Sequence, residues 1–170
     1  MSPVKRVGDL EIPQDLEFQR DAWRVQRIGW AAMTLIILGA LFGLFGIGPL
    51  SDAEAASPGG DLLVDYQRFD RFNAQSDIRF FLNPDQLKDG KALLWIDRDY
   101  VDSQVVTSVH PQPDNVTALG DGYLYEFPVE APGQTYLVTF NIRAENLGLL
   151  HGSARLGDGS IVRFQQFIYP

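Results

Sequence analysis

The chain has 170 residues, with 22 acidic and 14 basic side chains, no cysteine and a net charge of −8. The lack of cysteine excludes disulfides, thiolate catalysis, cysteine-ligated zinc and haem attachment through C-x-x-C-H. Residues 61–170 hold fifteen acids against nine bases. Such a surface suits neither nucleic acid nor close apposition to anionic lipid.

Residues 1–13 have no sustained periodicity and read as a flexible start. A helix is expected from near Pro13, a residue suited to a first helical turn. Arg20, Arg24 and Arg27 recur at i, i+4 and i+7 and so share one helical face. That stripe either grips anionic headgroups, or is a solvated face laced by Glu17–Arg20 and Asp21–Arg24 pairs.

From Ile28 to Leu50 the chain reads IGWAAMTLIILGALFGLFGIGPL, without a charge. As a helix this run would cross a hydrocarbon core of about 30 Å, so a transmembrane helix is expected over 28–50. Five bases precede the run and none lies between Ser51 and Gln67, which places the N-terminus in the cytoplasm and the rest outside. Trp23 and Trp30 fall at the inner headgroup layer, so Arg20, Trp23, Arg24, Arg27 and Trp30 form the expected lipid interface. Ala32, Gly39, Gly43 and Gly46 form a small-residue stripe against which a second helix, from another membrane protein or a copy of this chain, could pack. Ala53-Glu54-Ala55 has the form of a signal-peptidase site, but the apolar run is too long and starts too late for a signal peptide.

Residues 51–60, SDAEAASPGG, read as a linker. Residues 61–170 read as one all-β domain. Tyr136, Val138, Phe140 and Ile142 alternate with Leu137, Thr139, Asn141 and Arg143, and Tyr123, Tyr125 and Phe127 share a face. Val101, Val105, Thr107 and Val109 share another, while KALLWI (91–96) is apolar on both faces, as a central strand would be, with Trp95 as a core anchor. Asp89-Gly90, Asp121-Gly122, Pro132-Gly133 and Asp158-Gly159 mark turns, and the firmest hairpin is Leu149–Leu156 against Ser160–Tyr169. Seven or eight antiparallel strands in an immunoglobulin-like β-sandwich are expected.

Little in the sequence asks for chemistry. His110 and His151, with Asp114, have no metal-site spacing. Asp97, Asp99 and Asp102 lack the glycine and closing glutamate of an EF-hand and read as hairpin solvation rather than a calcium site. No nucleophile elbow, zinc-protease helix, phosphate loop or dinucleotide fingerprint occurs. No enzyme, cofactor or metal is expected. Asn115-Val116-Thr117 has the glycan-acceptor form, relevant only in a eukaryotic secretory pathway. The most unusual stretch is YQRFDRFNAQSDIRFF (66–81), where Tyr66, Arg68, Phe69, Arg71, Phe72 and Arg79 form a candidate partner interface. The bland reading of this stretch is an edge strand with aromatics in the core and arginines in solvent.

The layout resembles that of membrane accessory subunits and assembly factors. The expected protein is a single-pass component of a larger complex, in the cell membrane of a bacterial envelope, with its sandwich periplasmic or extracellular. The alternative is a tethered binding module for a small ligand, ion or glycan.

Overall fold

The computed structural model describes residues 5–7, 10–12, 16–43, 48–83, 90–129 and 134–170, with side chains from residue 19 onward. The chain divides into two units, Met1–Leu41 and Phe42–Pro170.

In the first unit, β1 (Lys5–Val7) and β2 (Leu10–Ile12) pair antiparallel where a flexible start was expected. Helix α1 (Leu16–Leu41) follows. It begins within three residues of Pro13 and contains no proline. Its charged half carries the exposed Asp21–Arg24 pair at 3.4 Å, one helical turn apart. The Arg27 guanidinium lies 4.4 Å from the Trp23 ring centroid. In its apolar half the one polar side chain, Thr34, donates to the Trp30 carbonyl of the previous turn (2.8 Å).

Among the described residues, no helix is long and apolar enough to cross a membrane. The apolar half of α1, residues 28–41, is about 21 Å long against a hydrocarbon core of about 30 Å. The helix expected over Ile28–Leu50 is therefore not one element. It stops at Leu41, and the Leu50 amide returns to the Phe42 carbonyl (3.1 Å). The cause is glycine. Gly43 has φ +83°, and a Cβ there would lie 2.5 Å from the Gly48 Cα, so the two backbones touch. Gly43 thus serves a turn and not a helical stripe; Gly46 lies outside the described residues.

The second unit is a β-sandwich. One sheet orders β3 (Asp52–Ala56), β4 (Leu62–Gln67), β6 (Gln75–Leu82), β11 (Tyr136–Ala144) and β8 (Gln104–His110). The other orders β5 (Phe69–Arg71), β13 (Val162–Tyr169), β12 (Gly148–Leu156), β7 (Lys91–Asp97), β10 (Gly122–Pro128) and β9 (Asn115–Ala118). Every pairing is antiparallel except β5 with β13. Alternate residues of most strands fill the space between the sheets, among them Leu62 and Val64, Ile78 and Phe80, Leu94 and Ile96, Phe127, Val138 and Phe140. Each such side chain, fully buried, contributes about 1.5–3 kcal/mol.

Among the described residues eleven strands stand where seven or eight were expected, and the extra ones are short or at the edges. β3 falls inside the expected linker, with Ala53 buried and Asp52 and Glu54 exposed. The cleavage-like Ala53-Glu54-Ala55 is thereby part of a strand paired with β4. The β12–β13 hairpin, the β9–β10 hairpin at Asp121-Gly122 and the interior placement of β7 match the sequence pattern. Trp95 is buried on the outer face of β7 rather than between the sheets. It lies over Gly122, where a Cβ would come 2.4 Å from the indole Nε1. β6 and β7 lie in opposite sheets and do not pair; Asp89 and Pro132-Gly133 lie outside the described residues. Val105, Thr107 and Val109 do not share a face, because a bulge opposite Asn141/Ile142 shifts the register and sends Val106 and Val109 inward. Nor does Val101 begin that strand. Arg98–Asp102 form the short helix α2, capped by the Asp97 carboxylate, which accepts from the Tyr100 amide (3.3 Å).

Burial makes two tyrosines hard to ionise. Desolvation pushes the Tyr125 hydroxyl up to about 12 and that of Tyr100 higher still. A raised acid pKa in the folded state leaves stability intact below the unfolded value of about 10 and removes it as pH climbs towards 12. The urea midpoint should therefore hold steady to about pH 10 and fall above it, and Tyr125→Phe should shallow that fall.

Candidate functional site

Two surfaces carry the residues singled out in the sequence. The first is α1. Trp30, Leu35 and Leu41 are 64%, 69% and 73% exposed, and the other large apolar side chains of its second half are similarly open. Arg20, Trp23, Arg24, Arg27 and Trp30 lie within this one helix, and Ala32 and Gly39, seven residues apart, share a face of it.

The second is the 66–81 stretch, which the fold breaks into parts with different tasks. Tyr66 is not an exposed contact. It points inward, its ring 5.3 Å from that of Phe164, and Phe80 is also in the core. Arg79 is committed locally, 2.7 Å from Asp77 and 3.6 Å from Asp65, and the hydrogen bond to Asp77 raises its pKa further. Arg68, Arg71 and Phe72 remain exposed, and Phe69 is half-buried.

What places Arg68 and Phe69 is a change of sheet. β4 belongs to the five-stranded sheet, and with only Arg68 between them β5 lies along β13 in the other. Such a crossing strips backbone groups of their ladder partners, and side chains supply replacements. The Gln67 carbonyl accepts from Gln166 Nε2 (2.9 Å), and Gln166 Oε1 accepts from the buried Tyr100 hydroxyl (2.5 Å). The Ser51 hydroxyl donates to the Phe69 carbonyl (3.1 Å), and the buried Asp70 carboxylate accepts from the Ser76 hydroxyl (2.5 Å) and the Arg71 amide (2.7 Å).

Beside this crossing lies an open groove of about 440 Å³, bounded by Arg68 and Phe69 on one side and by β12 and β13 on the other. Its lining holds Arg68, Arg163 and His151 and no acid. None of the three makes an ion pair or side-chain hydrogen bond among the described residues. Leu149 and Phe167 are 54% and 46% exposed and face each other across the β12–β13 ladder, with Phe69 level with Phe167 on the far side. Leu149, His151, Arg163 and Phe167 were not among the expected site residues. The one sign of them was Phe167, an exposed aromatic on the face of β13 that also carries Arg163, Gln165 and Tyr169.

The remaining candidates serve the fold or stand apart. His110 ends β8 in one sheet and His151 lies on β12 in the other. Asp97 caps α2, and Asp102 accepts from the Tyr123 hydroxyl (2.8 Å), a bond that raises the Tyr123 pKa. Among the described residues, no three His, Cys, Asp or Glu side chains group as metal ligands. Asn115 is exposed on the edge strand β9, within reach of Thr117 and Glu126. No protein-family model matches the chain, and no curated protein matches it in sequence.

Proposed function

We propose that the protein is a membrane-anchored, non-catalytic accessory subunit or assembly factor of a larger envelope complex. Its N-terminus would be cytoplasmic, and its sandwich would meet partners on the other side. The observation that carries this reading is the second half of α1, whose apolar side chains are exposed around the helix. Water does not tolerate such a surface, so lipid or another helix must cover it. The apolar half of α1 is shorter than the hydrocarbon core, and the turn after Leu41 adds no length, so crossing would require the bilayer to thin around it or flanking side chains to snorkel. Five bases before Ile28 and none between Ser51 and Gln67 favour an outward sandwich.

We also read the sandwich as immunoglobulin-like. The orders β4-β6-β11-β8 and β13-β12-β7 correspond to the A-B-E-D and G-F-C sheets of that fold, in the same chain order, with β9 and β10 added beyond C.

A reporter active only outside the cytoplasm, fused after Pro170, should give signal, and the same reporter before Met1 should not. If both fusions stay dark while the protein remains in the membrane fraction, α1 lies in the membrane plane and the sandwich is cytoplasmic.

A further inference from the structure

We propose that the open edge of β13, beside Arg68, docks an extended segment of a partner protein whose residues alternate between acidic and apolar. This rests on reading the sandwich as a partner-binding domain, and not on how the chain is anchored. The backbone supplies the first argument. The Phe167 amide donates to the Arg68 carbonyl (2.7 Å), and the Tyr169 carbonyl accepts from the Phe72 amide (2.7 Å). Odd-numbered residues of β13 thus turn their backbone groups away from β12. By the same alternation Arg163 and Gln165 present theirs at that edge. β5 does not reach them, since its pairing begins at Phe167, and among the described residues no other strand pairs with β13 on that side. A segment laid there would continue the line that β5 starts, adding main-chain bonds at each odd residue.

Side chains supply the chemistry. On the outer face an added strand would run beside Arg163, close to Arg68 and His151, which line the same groove. These groups have no acid in this lining and no bonded partner among the described residues, although Arg68 also borders a second groove lined by Asp52, Glu54, Asp65 and Asp77. Carboxylates on the incoming strand would complete them, and lysines would be repelled. On the inner face its alternate residues would meet Tyr66 and Phe164, whose rings line the groove floor, so those residues are apolar. Acid on one face and hydrocarbon on the other is the pattern that fits.

The probe is a blocked octapeptide of alternating glutamate and valine, titrated into the full chain in detergent micelles. Its controls are a lysine-for-glutamate peptide and a glutamate peptide N-methylated at alternate amides. The glutamate peptide should bind below about 1 mM and protect the Arg163 and Gln165 amides from exchange. Both controls should bind at least tenfold more weakly. Arg68→Glu with Arg163→Glu, two exposed and unbonded side chains, should leave the melting temperature unchanged and weaken the glutamate peptide at least tenfold. Equal binding of the lysine peptide, no protection at those two amides, or no binding at all would overturn the proposal. In that last case Arg163 would serve only to keep the edge from pairing with other chains. If vesicles containing phosphatidylglycerol bind in a way the double variant abolishes, while the peptide does not bind, the cations meet lipid and the proposal also falls. Membrane retention of the same variant, scored separately, reports on anchoring alone.

Discussion

Leu35→Arg combined with Ile36→Arg should release the chain from membranes. Both side chains are exposed on α1, at 69% and 61%. On a helix in water two arginines cost nothing, because the guanidinium is hydrated and arginine is a good helix former. In the hydrocarbon each costs about 2.5–3.5 kcal/mol at mid-helix, so the pair opposes anchoring by about 5–7 kcal/mol. That exceeds the effect of any surface charge change elsewhere on the protein. The readout is the fraction that stays with membranes after an alkaline carbonate wash. Alanine at the same two positions should leave most of the protein in the pellet. If the arginine pair pellets like the parent, lipid does not cover this half of α1, and a protein surface must.

The second large effect lies in the sandwich. Gly152→Val should unfold it or come close. Gly152 faces Phe164 across the β12–β13 ladder, and a Cβ there would lie 2.3 Å from the Phe164 Cε2. The ring cannot swing aside, because Tyr66 and Tyr100 hold it at centroid distances of 5.3 and 4.9 Å. Alanine should cost about 1–3 kcal/mol and valine more, against a total stability of about 5–15 kcal/mol for an ordinary domain. Each kcal/mol lowers the melting temperature by roughly 4 °C at this size. Gly120→Ala is the control, since a methyl group there meets nothing within 4 Å. A Gly152→Ala variant that melts with the parent would mean that the β12–β13 packing is looser than drawn.

Much of the sandwich was legible because its signals are local. The alternation of Tyr136–Ala144, the Asp158-Gly159 turn and the unbroken apolar run of Ala92–Ile96 each lie within one or two strands. The failures have physical causes too. Asp52–Ala56 looked like linker because alanine has weak strand preference and Ser-Pro-Gly-Gly follows; only Ala53 going in while Asp52 and Glu54 go out betrays the strand. The bulge in β8 inverts a face with no composition cue. The glycines after Leu41 fit a membrane stripe and a turn equally well, and only the touching backbones of Gly43 and Gly48 decide. The groove was half legible. Arg68, Phe69 and Phe72 stood out by composition, but Leu149, His151, Arg163 and Phe167 reach them only through the pairing of β5 with β13, which no local pattern encodes.

That pairing also sets an order in time. The carbonyl of Gln67 finds its partner in Gln166, 99 residues further along the chain. The strand carrying Gln166 also places Val162, Phe164 and Ile168 between or beside the two sheets. Until residues 162–169 have been made, the β4–β5 crossing has nothing to close on, and the earlier strands face an unfilled side of the core. At a synthesis rate of about 5–20 residues per second, the interval between the two halves of this contact lasts roughly 5–20 s. Throughout that interval the β4–β5 crossing lacks the strand that closes it, and the Gln67 carbonyl waits for Gln166.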